Sequence, residues 1–553
     1  MGIKHKLLNL GILTFLLLAA CLCFLPTPVE AMGGTGTVGD PFIISTPADL
    51  DDVRDNLTAY YELANDIDLG SWGNWTPIGE GTFMGVDAFI GNFDGKGHTI
   101  SNLTASGVEC QGLFGCIGDN ATLIGITLTS VDVAGTGSYI GGLVGECYQT
   151  VGYRSIVTIS DCHVQGVISG DDGEVGGLVG YFDEGTIEDC DTVVAITALN
   201  YDTGGLVGWV SDYFTVGTLI KNCHAEGTIN GVDMVGGLIG WVEDAQIEDC
   251  WADVDITSND DFCGGLIGWL DQGEIVATGF KIERSYALGD VSCRDYGGGF
   301  IGWADCLCMN ECFSEGDVAC SGIFSGGAGG FIAVAEPQFQ DGSIEDCYSR
   351  GNVDHSGDDD VYGVGGFIGW NWNWGHIPTI KNCYSTGIVA VNPLWTDDYG
   401  GFCGVNDTGV IEDCFWDTEA SGLAFDGSSY GGTGVALGKT TALMQTESTF
   451  TGATWDFTTI WCMPDAIDND GYPILQNVLP AGLGWTCYVP YSGNPAAMFE
   501  TYKQVTGSGK PLWYQALPSI LKLLYVGFIL LMAVAELRSK PKNQFPTLPD
   551  VKV

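Results

Sequence analysis

The chain has 553 residues, of which 45 % are hydrophobic and 16 % charged, so it is too apolar for a disordered protein and long enough for an extended core. Seventy Asp and Glu against nineteen Lys and Arg give a formal charge of −51. Such a surface repels nucleic acid and anionic lipid, which excludes nucleic acid as a partner, whereas it can attract divalent cations.

The first 31 residues are typical of a signal peptide for export. A basic start is followed by an apolar run over residues 7–25, and Ala31 offers a small residue for cleavage. Leu18-Ala19-Ala20-Cys21 provides an alternative, because it resembles a bacterial lipobox that would place a lipid on Cys21. The apolar run continues past this cysteine, which favours cleavage after Ala31. Either route exports the chain.

Residues 33–120 are predicted to form the N-terminal cap and first coils of the repeat array that follows. Within them, Ala48 to Leu63 carries apolar side chains at helical spacing after Thr46-Pro47, which predicts a short helix. A cap is needed because the end unit of a repeat array otherwise exposes an open edge.

Residues 121–437 repeat a pentapeptide of the form Gly-Gly-Leu-Val-Gly. Copies stand at residues 141–145, 176–180, 204–208, 236–240, 264–268, 298–302 and 365–369, with weaker ones at 329–332 and 400–402. Most are followed by Ile-x-Asp/Asn-Cys, which ends at Cys162, Cys190, Cys223, Cys250, Cys312, Cys347, Cys383 and Cys414, with Ser285 once in the cysteine's place. A period of about 27–36 residues indicates a solenoid, a propeller or another array.

Each unit contains short apolar runs separated by Gly, Asp, Asn and Ser, which is typical of short strands. A propeller blade needs four strands in roughly 40 residues, and these units are shorter. We therefore predict an all-β fold, a parallel β-helix solenoid with one unit per coil and coils stacked about 4.8 Å apart.

The repeats resemble the GLUG motif, named for its Gly-Leu-Val/Ile-Gly core, from about Gly33 to Gln476. Flanking segments also match, at residues 40–44, 61–69, 93–100, 414–419 and 455–457. The resemblance implies a right-handed parallel β-helix on a microbial cell surface, in a family where some members carry adhesin or peptidase modules. It implies no catalytic residue, because none belongs to the motif.

The cysteines are predicted to be mostly free thiols. Twenty-one cysteines, less Cys21 and Cys23, leave an odd number. Stacked cysteines in a parallel coil have nearly parallel Cα–Cβ bonds, so a disulfide between them would be strained. We expect the repeated cysteine to be a buried apolar residue. The cluster Cys306-x-Cys308-x3-Cys312 with Cys320 could bind metal, although a local disulfide or loop thiols suit an exported protein better.

Two further columns accompany the repeats. The residue before the cysteine is usually Asp or Asn, which we interpret as turn chemistry and not as a catalytic pair. After the Gly-rich core comes an aromatic column of Tyr181, Trp209, Trp241, Trp269, Trp303 and Trp370. These rings are structural if they lie inside the solenoid. If they face outward, the five tryptophans would form an exposed strip, and they are our candidate ligand-binding residues for sugar rings.

Calcium is the one cofactor that the sequence allows. Pairs of aspartates such as Asp171-Asp172 and Asp260-Asp261 could share a cation between adjacent coils, although we favour solvated turns as their explanation. Asp465, Asp468 and Asp470 are weak metal candidates, because Asp465-x-x-Asp-Asn-Asp-Gly lacks the full spacing of a calcium loop.

The C-terminal part is predicted to close the solenoid and anchor it. Residues 438–478 form the closing segment and residues 479–515 a spacer. Residues 516–537 are apolar apart from Lys522 and Glu536, and 22 helical residues span about 33 Å, enough for a transmembrane helix. A buried core helix is the alternative. Basic residues follow at once, which places residues 538–553 in the cytoplasm and the repeats outside.

Three functions fit these features. The first is a membrane-anchored surface protein for binding or adhesion, whose rigid rod contacts an extracellular glycan or a surface protein. The second is a polysaccharide lyase or hydrolase, which would need a positioned base or convergent carboxylates. No repeat departs from the pattern with a unique acid cluster, so we lean against an enzyme. The third is a passive envelope spacer.

Overall fold

The computed structural model describes residues 32–79, 87–148, 156–211, 217–271, 281–322, 326–338, 341–355, 363–372, 375–392, 398–464, 468–478 and 480. The predicted signal peptide, the spacer apart from residue 480, the transmembrane helix and the cytoplasmic tail lie outside these ranges and stay predictions. Among the described residues, we find no helix with the length and apolarity needed to cross a bilayer.

The chain divides into two units, and the boundary in the sequence lies between Trp455 and Asp456. The first is a parallel β-solenoid, so the predicted fold class is confirmed, while its right-handed sense and its N-terminal cap stay predictions. Each full coil contributes strands to four sheets, named here A to D in the order in which the chain visits them. Within the described part of the second unit, Trp461–Cys462 and Ile474–Leu475 form an antiparallel pair. A tight turn at Asp468–Gly471 lies in the chain between these two strands.

Sheet A consists of Phe42–Ile44, Tyr60–Leu63, Asn92–Asp94, Thr122–Ile124, Val157–Ser160, Gly185–Glu188, Thr218–Lys221, Ala245–Glu248, Lys281–Glu283, Cys308–Asn310, Ser343–Glu345, Thr379–Lys381 and Val410–Glu412. Sheet B consists of Ile67–Asp68, Thr99–Ser101, Thr104–Gly107, Thr127–Gly135, His163–Gly170, Asp191–Ala198, His224–Gly231, Trp251–Ser258, Tyr286–Ala287, Val291–Cys293, Phe313–Ser314, Val318–Cys320, Tyr348–Ser349, Val353–His355, Tyr384–Ser385, Val389–Val391, Phe415–Asp417 and Leu437–Lys439. The coils between Thr127 and Ser258 contribute one long strand each to sheet B, whereas those between Tyr286 and Val391 contribute two short strands each.

Sheet C consists of Ile140–Gly141, Val175–Gly176, Thr203–Gly204, Val235–Gly236, Cys263–Gly264, Gly297–Gly298, Gly327–Gly329, Gly363–Gly365 and Tyr399–Gly400. Sheet D consists of Phe114–Gly118, Val144–Tyr148, Val179–Phe182, Val207–Val210, Ile239–Glu243, Ile267–Asp271, Ile301–Ala304, Ile332–Ala335, Ile368–Asn371, Cys403–Asn406 and Ser428–Ser429. The Gly-rich pentapeptide therefore spans the bend from sheet C to sheet D.

The helix predicted over residues 48–63 is wrong in its second half. A helix covers Pro47–Asp51, with Thr46 and Asp49 forming a capping box, and a 3₁₀ turn covers Asp52–Asp55. Tyr60–Leu63 is instead a strand that pairs in parallel with Phe42–Ile44. Its side chains alternate between exposed and buried, and pairing with a distant strand outweighs the local helical spacing. Two short helices, Thr441–Met444 and Glu447–Thr451, follow the last coils.

The core of the solenoid is built from columns of identical or similar side chains. The residue after each Gly-Gly pair is fully buried, which gives the core one such side chain per coil. These residues are Leu143, Leu178, Leu206, Leu238, Leu266, Phe300, Phe331, Phe367 and Phe402. The four phenylalanine rings stack with centroids 4.6–4.8 Å apart. These distances match the coil spacing, so each ring packs on its equivalent in the next coil.

The preference for Asp or Asn before the repeated cysteine follows from the backbone conformation at that position, which supports its interpretation as turn chemistry. The residue before the repeated cysteine has a φ of 50–56° in Asp161, Asp189, Asn222, Asp249, Arg284, Glu311, Asp346, Asn382 and Asp413. This left-handed region is unfavourable for most L-residues, and Asn and Asp tolerate it best after glycine. The turn from sheet A to sheet B therefore selects these side chains.

We expect Asn222→Val to destabilise the solenoid by about 1–2 kcal/mol, because a β-branched side chain opposes the left-handed φ of 51°. Asn222→Gly is the control and should stay within about 0.5 kcal/mol of the wild type. Urea unfolding of the three proteins measures the difference. Equal losses for valine and glycine would contradict the backbone explanation.

The cysteine column consists of buried free thiols, as predicted. Each Sγ donates to the carbonyl oxygen two residues before it, for example from Cys223 to Lys221 at 3.1 Å and from Cys250 to Glu248 at 3.2 Å. Ser285 Oγ makes the same bond to Glu283 at 2.9 Å. Serine can replace cysteine there because its hydroxyl also donates to that carbonyl.

We expect Cys190, Cys223 and Cys250 to be reduced, because their thiols are buried and bonded to backbone carbonyls. Alkylation in denaturant without reductant, followed by mass mapping, should find one alkyl group on each. A Cys190–Cys223 or Cys223–Cys250 crosslinked peptide in high yield would contradict the free-thiol column.

The predicted cluster of Cys306, Cys308, Cys312 and Cys320 does not assemble. All four are free thiols, so the local disulfide is not formed. Cys312 belongs to the cysteine column, and Cys320 ends a strand of sheet B, where its Sγ lies 3.3 Å from that of Cys293. Neighbours in sequence are separated here because consecutive residues of a coil pass into different sheets.

Candidate functional site

The tryptophans occupy one register position of sheet D. The position is filled in successive coils by Cys116, Glu146, Tyr181, Trp209, Trp241, Trp269, Trp303, Val334, Trp370 and Val405. Trp209 to Trp303 are contiguous, but Val334 separates Trp303 from Trp370. The fifth tryptophan therefore lies outside the continuous strip and stacks on Trp372 instead, with ring centroids 4.6 Å apart.

Each tryptophan of the column is half-buried. Val207 and Val210, on either side of Gly208 and Trp209, are both fully buried. Gly208 interrupts the strand register, since Val207, Trp209 and Val210 have partners in the next coil and Gly208 has none in that ladder. In a regular strand, successive side chains alternate between the core and the solvent, but this alternation is broken at Gly208. Trp209 therefore lies on the flank of the solenoid, although Val207 and Val210 on either side of it are core residues.

The faces of the central rings are covered by their neighbours. Trp209 and Trp241 stack with centroids 4.7 Å apart and planes 6° from parallel. Trp241 then stacks on Trp269 at 6.0 Å, and Tyr181 packs edge-on against Trp209 at 4.9 Å. Sugar rings usually bind by lying on an open aromatic face, so only the ring edges of Trp209 and Trp241 are available to a ligand.

A second column, which the sequence did not reveal, covers the tryptophans. It consists of the residue before each of the first six sheet C strands: Tyr139, Glu174, Asp202, Met234, Phe262 and Tyr296. Most of these residues have positive φ, including Asp202 at 59° and Phe262 at 55°. The Phe262 ring lies 5.1 Å from Trp269, and Tyr296 lies 5.3 Å from Trp303. This turn column accounts for the half-burial of the tryptophans.

Trp269 and Trp303 share an acidic partner. Their indole nitrogens donate to the two carboxylate oxygens of Asp305, at 3.2 Å and 2.7 Å. Burial raises the pKa of Asp305 to about 6. This carboxyl fixes two rings of the column, whereas the indole nitrogens of Trp209 and Trp241 are buried without a hydrogen-bond partner.

Several other carboxyls lie buried along this flank. Burial raises the pKa of Asp202 to about 8, and nearby Glu174, Asp233 and Glu243 add to the effect. Burial likewise raises the pKa of Asp233 to about 6 and that of Glu336 to about 7. Near neutral pH the native protein therefore retains protons on this flank that the unfolded chain would release.

We expect the protein to lose stability as the pH rises from 5 to 8 in calcium-free solution. Between the unfolded pKa near 4 and the raised folded values, the native state binds more protons than the unfolded state, so the free energy of unfolding falls with pH. Asp202 alone, with a folded pKa of about 8, contributes roughly 3–4 kcal/mol to the fall between these two pH values. Urea unfolding in EDTA at both pH values measures it.

The matched control is Asp202→Asn, which should flatten the pH dependence because the amide cannot titrate. Below pH 4 stability should fall again, since hydrogen bonding to Lys281 lowers the pKa of Glu248. Wild-type stability that rises from pH 5 to pH 8 would contradict the burial of these acids.

The structure describes only part of the predicted calcium positions. Asp465 and the side chain of Asp468 lie outside the described residues, and Asp470 is in a turn with a φ of 48°. Asp260 and Asp261 are paired with Arg294, which contacts both carboxylates. Across the described residues, no three His, Cys, Asp or Glu side chains are placed to hold a metal ion together.

The basic side chains Lys281 and Arg284 form ion pairs with acidic side chains of their own and the preceding coil. Lys281 Nζ lies 2.6 Å from Glu248 Oε1 and 3.0 Å from Glu283 Oε2, and Arg284 Nε lies 2.6 Å from Asp249 Oδ1. Hydrogen bonds to Glu248 and Glu283 raise the pKa of Lys281. A lysine held in its charged form is a poor base, so these side chains do not supply the base that a lyase would need.

Sheet B carries another aromatic column at the residue after the repeated cysteine. It runs through His163, Asp191, His224, Trp251, Tyr286, Phe313, Tyr348, Tyr384 and Phe415. Phe313 and Tyr348 stack at 4.7 Å, and Phe450 and Trp455 pack over Phe415 at its end. The residue after the cysteine is aromatic in most repeats, but the sequence alone did not show that these rings stack on one another.

Comparison with protein families confirms the resemblance of the repeats. The model of the GLUG motif matches residues 200–230 and 360–392. The first segment begins in the turn before a sheet C strand and ends with the sheet B strand His224–Gly231. The chain thus carries GLUG repeats, each of which forms one coil.

Two curated proteins are similar to part of the chain. One, described as a Gly-rich membrane protein of Evansella cellulosilytica, is 32 % identical over 135 residues, which cover 22 % of this chain and 15 % of the relative. The other, halomucin of Haloquadratum walsbyi, is 32 % identical over 152 residues, which cover 25 % of this chain and 2 % of that protein. The chain therefore spans only a small part of either relative.

Two solved structures are also similar to it. One is a structure named for an immunoglobulin A1 protease of Bacteroides ovatus, with 15 % identity and a TM-score of 0.33 over 80 % of this chain and 94 % of that chain. The other, named IgA1 protease, has 17 % identity and a TM-score of 0.32 over 65 % and 23 % of the two chains. Neither similarity carries an argument about activity.

Proposed function

We propose that the chain is a membrane-anchored cell-surface protein whose repeats form a rigid rod outside the cell and bind an extracellular ligand. The observation that carries the proposal is the half-buried aromatic column from Tyr181 to Trp303, which follows one flank through consecutive coils. The names of the relatives, a membrane protein and a halomucin, support a location at the cell surface.

The candidate ligand is a glycan, with a surface protein as the second choice. Because the faces of Trp209 and Trp241 are occupied, the ligand would contact ring edges and the carboxyls of the same flank, including Glu243 and Asp271 beyond the tryptophans. Carboxylates accept hydrogen bonds from sugar hydroxyls, and the edges of indole rings supply apolar contact. Trp269 and Trp303 add to the strip, whereas Trp370 would form a separate contact.

The proposal is tested by applying the purified chain to arrays of glycans and of envelope proteins, beside a hydrolysis screen on the same glycans. Saturable binding without cleavage is the expected result. Cleavage would favour the lyase or hydrolase alternative. Absence of both binding and cleavage would favour a passive spacer, which the covered ring faces also suit.

A further inference from the structure

Several buried polar atoms on the tryptophan flank have no hydrogen-bond partner. They include Glu174 Oε2, both carboxylate oxygens of Asp202, and the indole nitrogens of Trp209 and Trp241. Such atoms are rare in folded proteins, and each one calls for a water, a proton or an ion that satisfies it. Their occurrence in neighbouring coils indicates a shared cause.

Glu174 and Asp202 are equivalent residues of adjacent coils. Val175 and Thr203, which follow them, pair in sheet C, and Val175 N donates to Asp202 O at 3.0 Å. The two side chains are 6 % and 1 % exposed. Both stand in the turn column that covers the tryptophans. At the same position two coils after Asp202, the ring of Phe262 lies 5.1 Å from Trp269, so the register places Asp202 beside Trp209.

The charge around Asp202 is uncompensated. The charged groups that face it are Glu174, Asp233 and Glu243, all of them acids. Removing a carboxylate from water without a partner is costly, and a second carboxylate nearby increases that cost. The pair therefore calls for a positive charge.

We propose that Glu174 and Asp202 bind one hard divalent cation of the Ca²⁺ class between adjacent coils, with water molecules completing its coordination shell. The donor atoms are all oxygens, which suit calcium and not zinc. Two carboxylates match a divalent charge, and calcium tolerates an irregular shell with several waters. The ion satisfies the three unpaired carboxylate oxygens, and its waters can accept from the indole N–H groups.

This inference concerns stability of the rod and is independent of the proposed ligand binding. A cation between coils would join two neighbouring turns of the chain where buried acidic side chains lie near one another. It accounts for a buried cluster of acids that includes no basic side chain among the groups acting on Asp202, because the cation takes the place of the missing partner.

The test uses Tb³⁺ as a calcium probe on the purified full-length chain. Tb³⁺ held by Glu174 and Asp202 lies close to Trp209 and Trp241, so indole excitation should give a saturable luminescence that Ca²⁺ suppresses. Asp202→Asn and Glu174→Gln should weaken Tb³⁺ binding at least tenfold. Asp253→Asn, on an exposed acid of sheet B, is the matched control and should bind as the wild type does.

Thermal melting provides the second measurement and does not depend on luminescence. In EDTA, Asp202→Asn should melt higher than the wild type, because it removes the uncompensated charge. In Ca²⁺ the order should reverse, since only the wild type gains from the ion. Equal Tb³⁺ signals in wild type and Asp202→Asn, or melting that responds to pH but not to Ca²⁺, would overturn the proposal. Either result would indicate that Glu174 and Asp202 are neutralised by protons and not by a cation.

Discussion

Replacing Gly205 with alanine is expected to destabilise the solenoid by more than about 4 kcal/mol, enough to prevent folding of the surrounding coils. A Cβ at this position would lie 2.1 Å from the carbonyl oxygen of Gly237 and 2.7 Å from the Cβ of Ala225. The first atom belongs to the backbone of the next coil, so the coils would have to separate. Separation would break the parallel ladders on both sides of the bend.

Gly39→Ala is the matched control, because a Cβ there meets no atom within 4 Å. Its free energy of unfolding should stay within about 0.5 kcal/mol of the wild type. Circular dichroism with urea titration compares the two. A Gly205→Ala protein as stable as Gly39→Ala would contradict the close contact between coils that the repeated glycines permit.

Replacing Trp241 with alanine is expected to cost roughly 3–5 kcal/mol, as for a large side chain removed from a packed site. The indole lies between Trp209 at 4.7 Å and Trp269 at 6.0 Å, so its loss removes two stacking contacts and leaves a gap in the column. Thermal melts of the purified chain measure the effect.

Trp72→Ala is the control for that variant, because Trp72 is 39 % exposed. It should change stability by less than about 1 kcal/mol. A loss below about 1 kcal/mol for Trp241→Ala would show that the column contributes little packing. A large loss of stability with unchanged ligand binding per folded molecule would instead reject the column as a binding face.

The periodic features of the fold could be predicted because each follows from one local constraint. The pentapeptide fixed the coil spacing, the cysteine marked a buried position, and Asp or Asn marked a turn, as the φ of 52° at Asp161 illustrates. Repetition in adjacent coils then converts one local rule into a column. The same reasoning placed Trp209 to Trp303 in register.

Features that depend on contacts between coils could not be predicted. Tyr60–Leu63 has helical spacing in the sequence but pairs as a strand with Phe42–Ile44. The covering column, from Tyr139 to Tyr296, has no shared residue type, because its members share only a turn position and not a chemistry.

The most direct test of binding through the tryptophan flank compares two conservative variants, Trp241→Phe and Trp251→Phe. Both rings are half-buried and stacked, but Trp241 belongs to the sheet D flank and Trp251 to the column of sheet B. The measurement is the affinity, per folded molecule, for the ligand that the arrays identify. We predict binding about tenfold weaker for Trp241→Phe and unchanged for Trp251→Phe. Equal affinities for the two variants would contradict the proposed binding face.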